Sequence, residues 1–158
     1  MRIYLVQHGD AVAKDVDPER PLSEAGQHDV NHIAAFLADA RVRVARILHS
    51  GKRRAEQTAQ ILGQRLGHGG ATAASAGLDP NDATDTIALK LADWSQDTML
   101  VGHLPYMAML AGRLVTGRDD PGVVAFTPGT VLCLERTGEG RFAIVWMVRP
   151  ELVTARPG

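Results

Sequence analysis

Two apolar runs that each stop on a histidine constrain this chain more than any other feature. Leu5-Val6-Gln7-His8-Gly9-Asp10 closes the first, and Thr98-Met99-Leu100-Val101-Gly102-His103 closes the second, followed at once by Leu104-Pro105. A strand that delivers a polar side chain at its carboxyl end is how open α/β sheets build sites at their strand tips. Two such strands predict a single sheet edge that carries both histidines. Between them, Arg46-Ile47-Leu48-His49-Ser50 reads as a third strand, and Gly51-Lys52-Arg53-Arg54-Ala55-Glu56-Gln57-Thr58-Ala59 turns directly into a helix. Cations at a helix start oppose the positive end of its dipole. An arginine there is accounted for if an anion such as phosphate sits among the free backbone N–H groups.

The rest of the chain supplies the layers. Asp10 to Arg20 is a polar, acidic loop punctuated by Pro18 and Pro21. Ser23 reads as a helix N-cap with Glu24 in the first turn, and Val30, Ile33, Ala34 and Leu37 form one stripe. Gly26 in that first turn costs roughly 1 kcal/mol against alanine, which points to close packing on a neighbouring backbone. A second helix is expected from about Arg53 to Leu66, with Ala55, Ala59, Leu62 and Leu66 on one face and Gly67 as its stop. Gly67 to Gly77 is weakly patterned, with room for a short strand around Ala71 to Ala74. Asp79-Pro80-Asn81-Asp82 opens a third helix carrying Ile87, Leu91 and Trp94. Pro105 opens a fourth, with Met107, Leu110, Ala111 and Leu114 inward and Gly117 at its end.

Val123 to Phe126, Val131 to Leu134 and Phe142 to Val148 read as strands separated by Pro128-Gly129 and Gly138-Glu139-Gly140, and the tail beyond Pro150 as loop. Strand and helix alternate over the first two thirds. The expected architecture is a three-layer α/β sandwich: a mostly parallel central sheet, helices on both faces, and antiparallel strands near the C-terminus. At 158 residues the chain is expected to form one domain, 1–158. A formal charge of −1 argues against a nucleic-acid partner or an acidic membrane surface. The single cysteine, Cys133, sits between Leu132 and Leu134 and reads as a buried thiol in a reducing compartment. The apolar run Ile3 to Val6 is far shorter than a signal core or membrane span, so the expected location is cytoplasmic.

These motifs, in this order, resemble the histidine phosphatase superfamily, and within it the small SixA-type phosphohistidine phosphatases. The resemblance is carried by His8-Gly9-Asp10-Ala11, Arg20-Pro21-Leu22-Ser23 with Gly26, Ser50 followed by Arg54-Ala55-Glu56-Gln57-Thr58-Ala59, and Val101-Gly102-His103-Leu104-Pro105. It extends to Phe126, Leu134, Trp146, Pro150 and Leu152. It implies that His8 is the nucleophile that takes a phosphoryl group, that Arg54 holds phosphate oxygens, and that His103 stands beside the phosphate. Gln7, Gly9, Arg20 and Ser50 would border the substrate. It implies no metal or other cofactor, and the sequence has no tight histidine and carboxylate cluster of ligand spacing. The implied partner is a phosphorylated protein such as a phosphotransfer domain, with phosphate or another oxyanion in the pocket.

The chain departs from the family pattern at two places. Gln7 stands where the family has arginine directly before the nucleophile, replacing a two-pronged cation by a neutral amide. Such a loss corresponds to ~2–4 kcal/mol of transition-state stabilisation, by analogy with removing an oxyanion donor. Arg20, Lys52 and Arg53 are the candidates to compensate, although Lys52 and Arg53 read first as a solvated basic turn. Gly51 replaces a proline after Ser50, which should loosen that turn. Ser50 itself, with no base beside it in sequence, reads as a turn or cap residue. A general acid for an alcohol leaving group has only Asp79 and Asp82 as candidates, and a phosphohistidine substrate needs one less. Two other readings follow from the same residues: a non-catalytic phosphate or phosphoprotein binding module, and a small-molecule phosphomonoesterase or mutase. His28, His32, His49 and His68 read as surface or packing residues.

Overall fold

A computed structural model of the chain describes residues 1–67, 71–138 and 140–154. The elements run β1 (Arg2–Gln7), α1 (Glu24–Asp39), β2 (Arg46–His49), α2 (Arg53–Leu66), β3 (Thr72–Ala74), α3 (Asp85–Leu91), β4 (Thr98–Gly102), α4 (Tyr106–Thr116), β5 (Val131–Gly138), β6 (Arg141–Val148) and α5 (Pro150–Val153). One sheet contains all six strands in the order β3-β2-β4-β1-β5-β6. β3, β2, β4 and β1 pair in parallel; β5 and β6 join antiparallel. The fold is the α/β sandwich expected, with a six-stranded mixed sheet.

Side-chain alternation along the strands divides the interior into two layers. Tyr4 and Val6 of β1 face the stripe Val30, Ile33, Ala34 and Leu37 of α1 and Ala55, Ala59 and Leu62 of α2. Ile3 and Leu5 face the other way, onto Ile87 and Leu91 of α3 and Met107, Leu110 and Ala111 of α4. β1 and β4 are covered on both faces, which is why each reads as an unbroken apolar run. β6, at the sheet edge, is largely exposed along its length. Cys133 is buried in the first layer. Among the described residues no helix is long and apolar enough to cross a membrane.

The capping chemistry follows the sequence. Ser23 Oγ accepts the Gly26 N–H at 3.0 Å, and Gly117 ends α4 at φ 85°. A Cβ on Gly26 would lie 2.0 Å from the Asp10 carbonyl oxygen, so the glycine lets α1 press against the loop leaving β1. The short strand of the weakly patterned region is Thr72–Ala74. His68 lies outside the described residues.

Three expectations need correction. Val123 to Phe126 is not a strand. Its flanks are tied into turns, Asp120 accepting the Gly122 N–H at 2.8 Å and Thr130 Oγ1 accepting the Thr127 N–H at 3.0 Å, while Val124 packs as loop into the second layer. Trp94 is beyond the end of α3; its ring lies under the Arg46 guanidinium at 4.2 Å rather than on a helix face. The tail is not all loop, because Pro150 occupies the first turn of α5, where its missing N–H costs nothing.

Gly26→Ala tests the close approach. Helix propensity alone favours alanine by about 1 kcal/mol, but the clash with a backbone carbonyl should outweigh this and destabilise the protein by ~1–3 kcal/mol. Thermal unfolding should therefore show a lower Tm; a Tm equal to or above that of the parent would contradict the packing.

Candidate active site

Parallel register puts the strand tips side by side. Gln7 pairs with Gly102 and His49 with Val101, so the next residues, His8, Ser50 and His103, all leave the same edge of the sheet. The rings of His8 and His103 are 4.9 Å apart between centroids. A small cavity of about 260 Å³ opens at this edge, lined by Gln7, His8, Arg20, Arg54, Pro80 and His103 together with Asp10, Ala11, Leu104 and Pro128.

His8 is held in one orientation. Its Nδ1 lies 2.7 Å from the Gly9 carbonyl oxygen, an acceptor, so Nδ1 carries the ring proton and Nε2 carries the lone pair. Arg54 Nε donates to that Nε2 at 3.3 Å. The main chain on both sides is fixed as well. His8 N–H bonds the Gly102 carbonyl at 3.0 Å, and Gly9 N–H bonds Thr58 Oγ1 at 3.0 Å, while Thr58 donates to the Arg54 carbonyl at 2.8 Å. Thr58 thus ties the loop after β1 to the first turns of α2, the helix that carries Arg54.

Arg20 reaches the cavity from the loop between β1 and α1. The loop folds back on itself through the Ala11–Leu22 bridge and the Val12 N–H to Pro21 carbonyl bond. Arg20 adopts φ 48°, left-handed for a bulky residue, and its Nε donates to the Val12 carbonyl at 3.1 Å. A conformation that costs of order 1 kcal/mol is held by the surrounding structure at a cavity wall. Lys52 and Arg53 are exposed and do not line this cavity; with Arg54 they line a neighbouring groove. Of Arg20, Lys52 and Arg53, only Arg20 lines the cavity.

Gln7 lines the cavity while remaining only 8 % exposed, and its Oε1 is buried without a hydrogen-bond partner. Ser50 Oγ is 2.7 Å from His103 Nε2 and accepts the Lys52 N–H at 3.3 Å, so the serine both closes the turn and contacts the second histidine. Gly51 adopts φ 91°, which proline cannot reach, so its presence changes the turn rather than merely loosening it. Asp79 and Asp82 do not themselves line the cavity, although Pro80 between them does, and they share one turn, the Asp82 carboxylate accepting the Asp79 N–H at 2.9 Å. The carboxylate that does line the cavity is Asp10, whose Oδ2 is held by the Ser23 hydroxyl at 2.6 Å. His49 is buried and accepts the Gly51 N–H at 3.1 Å; His28 and His32 stack on the surface of α1. Among the described residues no three histidine, cysteine or carboxylate side chains gather as a metal-ligand set.

Thr58 and the Pro128-Gly129 turn were not among the site residues expected from the sequence. The Gly129 N–H reaches the Gln7 carbonyl at 3.0 Å, closing the cavity from the β5 side. The Pro128-Gly129 dipeptide, a turn signature, was the available signal, and Gly129 adopts φ 85° there.

Electrostatics keep both histidines neutral. Burial is the main cause, and the nearby cations Arg54 and Arg20 add to it. His8 is lowered from 6.5 to about 4, with the Gly9 carbonyl opposing the shift. His103 is lowered to about 3, with His8 and Lys52 contributing after burial. Burial and the Arg20 charge also lower the pKa of Arg54. The cavity therefore combines two guanidinium groups with an unprotonated imidazole nitrogen, a set that can hold a small tetrahedral anion and attack it.

An NMR titration of the ring protons should find His8 neutral until about pH 4 in the anion-free protein, and added phosphate should raise that midpoint by offsetting the two arginines. Because the folded pKa is below the unfolded value, the unfolded chain binds more protons between pH 6.5 and 4. This group therefore lowers stability as pH falls through that window. A midpoint near 6.5 without anion would refute the burial account.

Comparison with known proteins agrees with this geometry. The model of the histidine phosphatase superfamily (branch 1) matches residues 3–79. Phosphohistidine phosphatase SixA of Escherichia coli (strain K12) is 26% identical over 157 residues, covering 95% of this chain and 94% of that protein. The structure of the protein histidine phosphatase SixA complexed with tungstate has a TM-score of 0.86 at 23% identity, over 98% of this chain and 100% of that one. The same fold is shared by phosphoserine phosphatase from Entamoeba histolytica, solved in complex with 3-phosphoglyceric acid, with a TM-score of 0.70 at 13% identity over 92% of this chain and 95% of that one. Residues 3–79 thus match the histidine phosphatase superfamily (branch 1) model, and nearly the whole chain is similar to SixA.

Proposed function

We propose that the protein is a phosphohistidine phosphatase that takes the phosphoryl group of a protein partner onto His8 and then releases it to water. The activity is carried by the chain as a single domain, in the cytoplasm. The observation that carries the reading is the pairing of a neutral His8, its Nδ1 proton fixed by the Gly9 carbonyl, with Arg54 on its Nε2 and Arg20 across the cavity.

An anion entering the cavity draws the Arg54 guanidinium onto its oxygens and frees the Nε2 lone pair. Nε2 attacks phosphorus in line, the substrate P–N bond breaks, and the departing imidazole nitrogen takes a proton. Arg54 and Arg20 hold the equatorial oxygens, where donors aimed at developing charge lower the barrier most. Water then attacks phospho-His8, and the P–N bond to Nε2 breaks to release inorganic phosphate. His103, beside His8 and held by Ser50, stands next to the transferring group. Gln7 and Gly9 border it. The residues form this chemistry without a metal or other cofactor.

The substrate class is supported by the carboxylates. An alcohol leaving group needs a proton donor at the cavity, yet Asp79 and Asp82 are not among its lining residues and Asp10 is engaged by Ser23. An imidazole leaving group needs no strong acid. This favours phosphohistidine over sugar or glycerate phosphates. The rival, a phosphoprotein-binding module without turnover, draws on Gln7, whose neutral amide leaves the cavity one cation short.

Incubation with a phosphohistidine protein should release phosphate in the presence of chelator, and His8→Ala should abolish the release. Arg54→Ala should cost about 10²–10³ in kcat, as removal of an oxyanion donor does. Continued turnover in His8→Ala would overturn the mechanism, whereas tight phosphate binding without turnover in the parent would select the binding module. A substrate panel with sugar phosphates and glycerate phosphates distinguishes the ester reading. Gln7→Arg should restore a bidentate contact and raise kcat/KM about tenfold for each 1.4 kcal/mol regained, measured on the same substrate. An unchanged or lower rate, with His8 still essential, would mean that Arg20 already supplies the missing charge.

A further inference from the structure

The second histidine of the cavity is held by a series of contacts that begins at the tip of β2. His49, the last residue of that strand, accepts the Gly51 N–H on Nδ1 at 3.1 Å. The left-handed turn at Gly51 carries this bond, which a proline, lacking the N–H, would forfeit. The same turn brings the Lys52 N–H to Ser50 Oγ at 3.3 Å, and Ser50 Oγ in turn lies 2.7 Å from His103 Nε2. The other ring nitrogen, His103 Nδ1, is buried and has no hydrogen-bond partner among the described residues. It belongs to a residue that is only 2 % exposed and that lines the cavity beside the ring of His8.

His103 is neutral at ordinary pH, its pKa lowered to about 3 first by burial and then by His8 and the nearby cations. One ring nitrogen therefore carries a proton and the other a lone pair. Two observations decide which. The Ser50 hydroxyl already accepts from Lys52, and among the described residues the acceptor for its own proton is His103 Nε2. Gln7 Oε1 is a buried acceptor without a partner on the same wall, so a bare lone pair on His103 Nδ1 would add a second acceptor to a cavity built for an anion. Protonated, Nδ1 is a donor instead. A buried N–H without an acceptor is unfavourable in the empty cavity, and a phosphoryl oxygen supplies that acceptor.

We propose that Ser50 is a positioning residue: its hydroxyl donates to His103 Nε2 and holds the ring in the Nδ1–H tautomer, leaving Nδ1–H as a neutral donor to a phosphoryl oxygen. The inference deepens the phosphatase reading of the cavity and rests on it for the kinetic effect. His103 then adds a fixed, uncharged hydrogen bond to the two guanidinium groups of Arg54 and Arg20, where charge gathers on the transferring group. Ser50 touches neither phosphorus nor the leaving group and acts through His103.

Nitrogen-15 NMR of the imidazole rings reads the tautomer in the whole protein without any turnover. At neutral pH the parent should show His103 protonated on Nδ1 and bare on Nε2, and inorganic phosphate should move the Nδ1–H proton downfield as it gains an acceptor. In Ser50→Ala the ring should become a mixture of tautomers. On a phosphohistidine protein, kcat of that variant should fall about tenfold, as loss of one hydrogen bond to the transferring group does, with little change in KM. Ser50→Thr, which keeps the hydroxyl, should restore both the tautomer and the rate. His103 protonated on Nε2 in the parent, a tautomer unchanged in Ser50→Ala, or a Nδ1–H signal that phosphate leaves in place would overturn the proposal. So would a parent that turns over and a Ser50→Ala variant that is equally fast. No turnover in a parent that shows the expected tautomer and phosphate shift would uphold the role of Ser50 and reject the phosphatase reading, whereas full turnover with the Nε2–H tautomer would do the reverse.

Discussion

The parallel pairing of β1 with β4 is the constraint on which the rest depends. It aligns Gln7 with Gly102, and that single register brings two histidines more than ninety positions apart to adjacent strand tips. A slip of one residue would reverse the facing of every side chain on β1 and separate the two core layers from their helices. The register is therefore held by the whole interior. Ile3 and Leu5 meet α3 and α4 while Tyr4 and Val6 meet α1 and α2 in this alignment. The geometry of the cavity is a by-product of how the core packs.

Around that edge the protein keeps positive charge and neutral imidazole in close company. Burial alone would push the histidines toward the neutral form, and Arg54 and Arg20 push in the same direction. The guanidinium groups are strained by each other and by the position of Arg54 at a helix start. Such sites store unfavourable electrostatics in the empty state and release it when an anion binds. The left-handed Arg20 belongs to the same pattern, since its backbone cost is met by the Ala11–Leu22 bridge and by Val12. Thr58 and Gln57 extend the support. One side chain takes the Gly9 N–H and the other takes the Leu22 N–H at 2.7 Å, so α2 holds both the segment directly after β1 and the loop bearing Arg20.

Gln7 belongs both to the sheet and to the cavity wall. It occupies a strand position with its backbone paired on both sides, to Gly102 in β4 and to the Thr130 carbonyl, so β1 is undisturbed. At the cavity wall it presents a neutral amide whose Oε1 has no hydrogen-bond partner. The fold is shared with proteins as different as SixA and a phosphoserine phosphatase, so the sandwich does not choose the substrate; a few side chains at the strand tips do.

Much of this was legible in the sequence because it is local. Apolar runs buried on both faces, the Ser23 cap, the stripe of α1 and the glycine stops each follow from spacing of a few residues, and those elements fall where they were expected. The two strands that end on histidine also announced a shared edge. What the sequence could not decide depends on contacts between segments distant in the chain. Val123–Phe126 has strand-forming residues, but Asp120 and Thr130 bind its flanking backbone in turns instead. Arg20, Lys52 and Arg53 were all candidates to compensate for Gln7, with Arg20 alone expected beside the substrate; the return of the loop at Ala11–Leu22 accompanies Arg20 at the cavity, while Lys52 and Arg53 line the neighbouring groove. Ser50 reads as a turn residue until β2 and β4 align, whereupon its hydroxyl lies against His103. Local pattern determined the elements and the sheet edge; side-chain identity at that edge became a site only when long-range packing fixed which groups meet, because hydrogen bonds and charge interactions act over a few ångströms in space and are indifferent to separation along the chain.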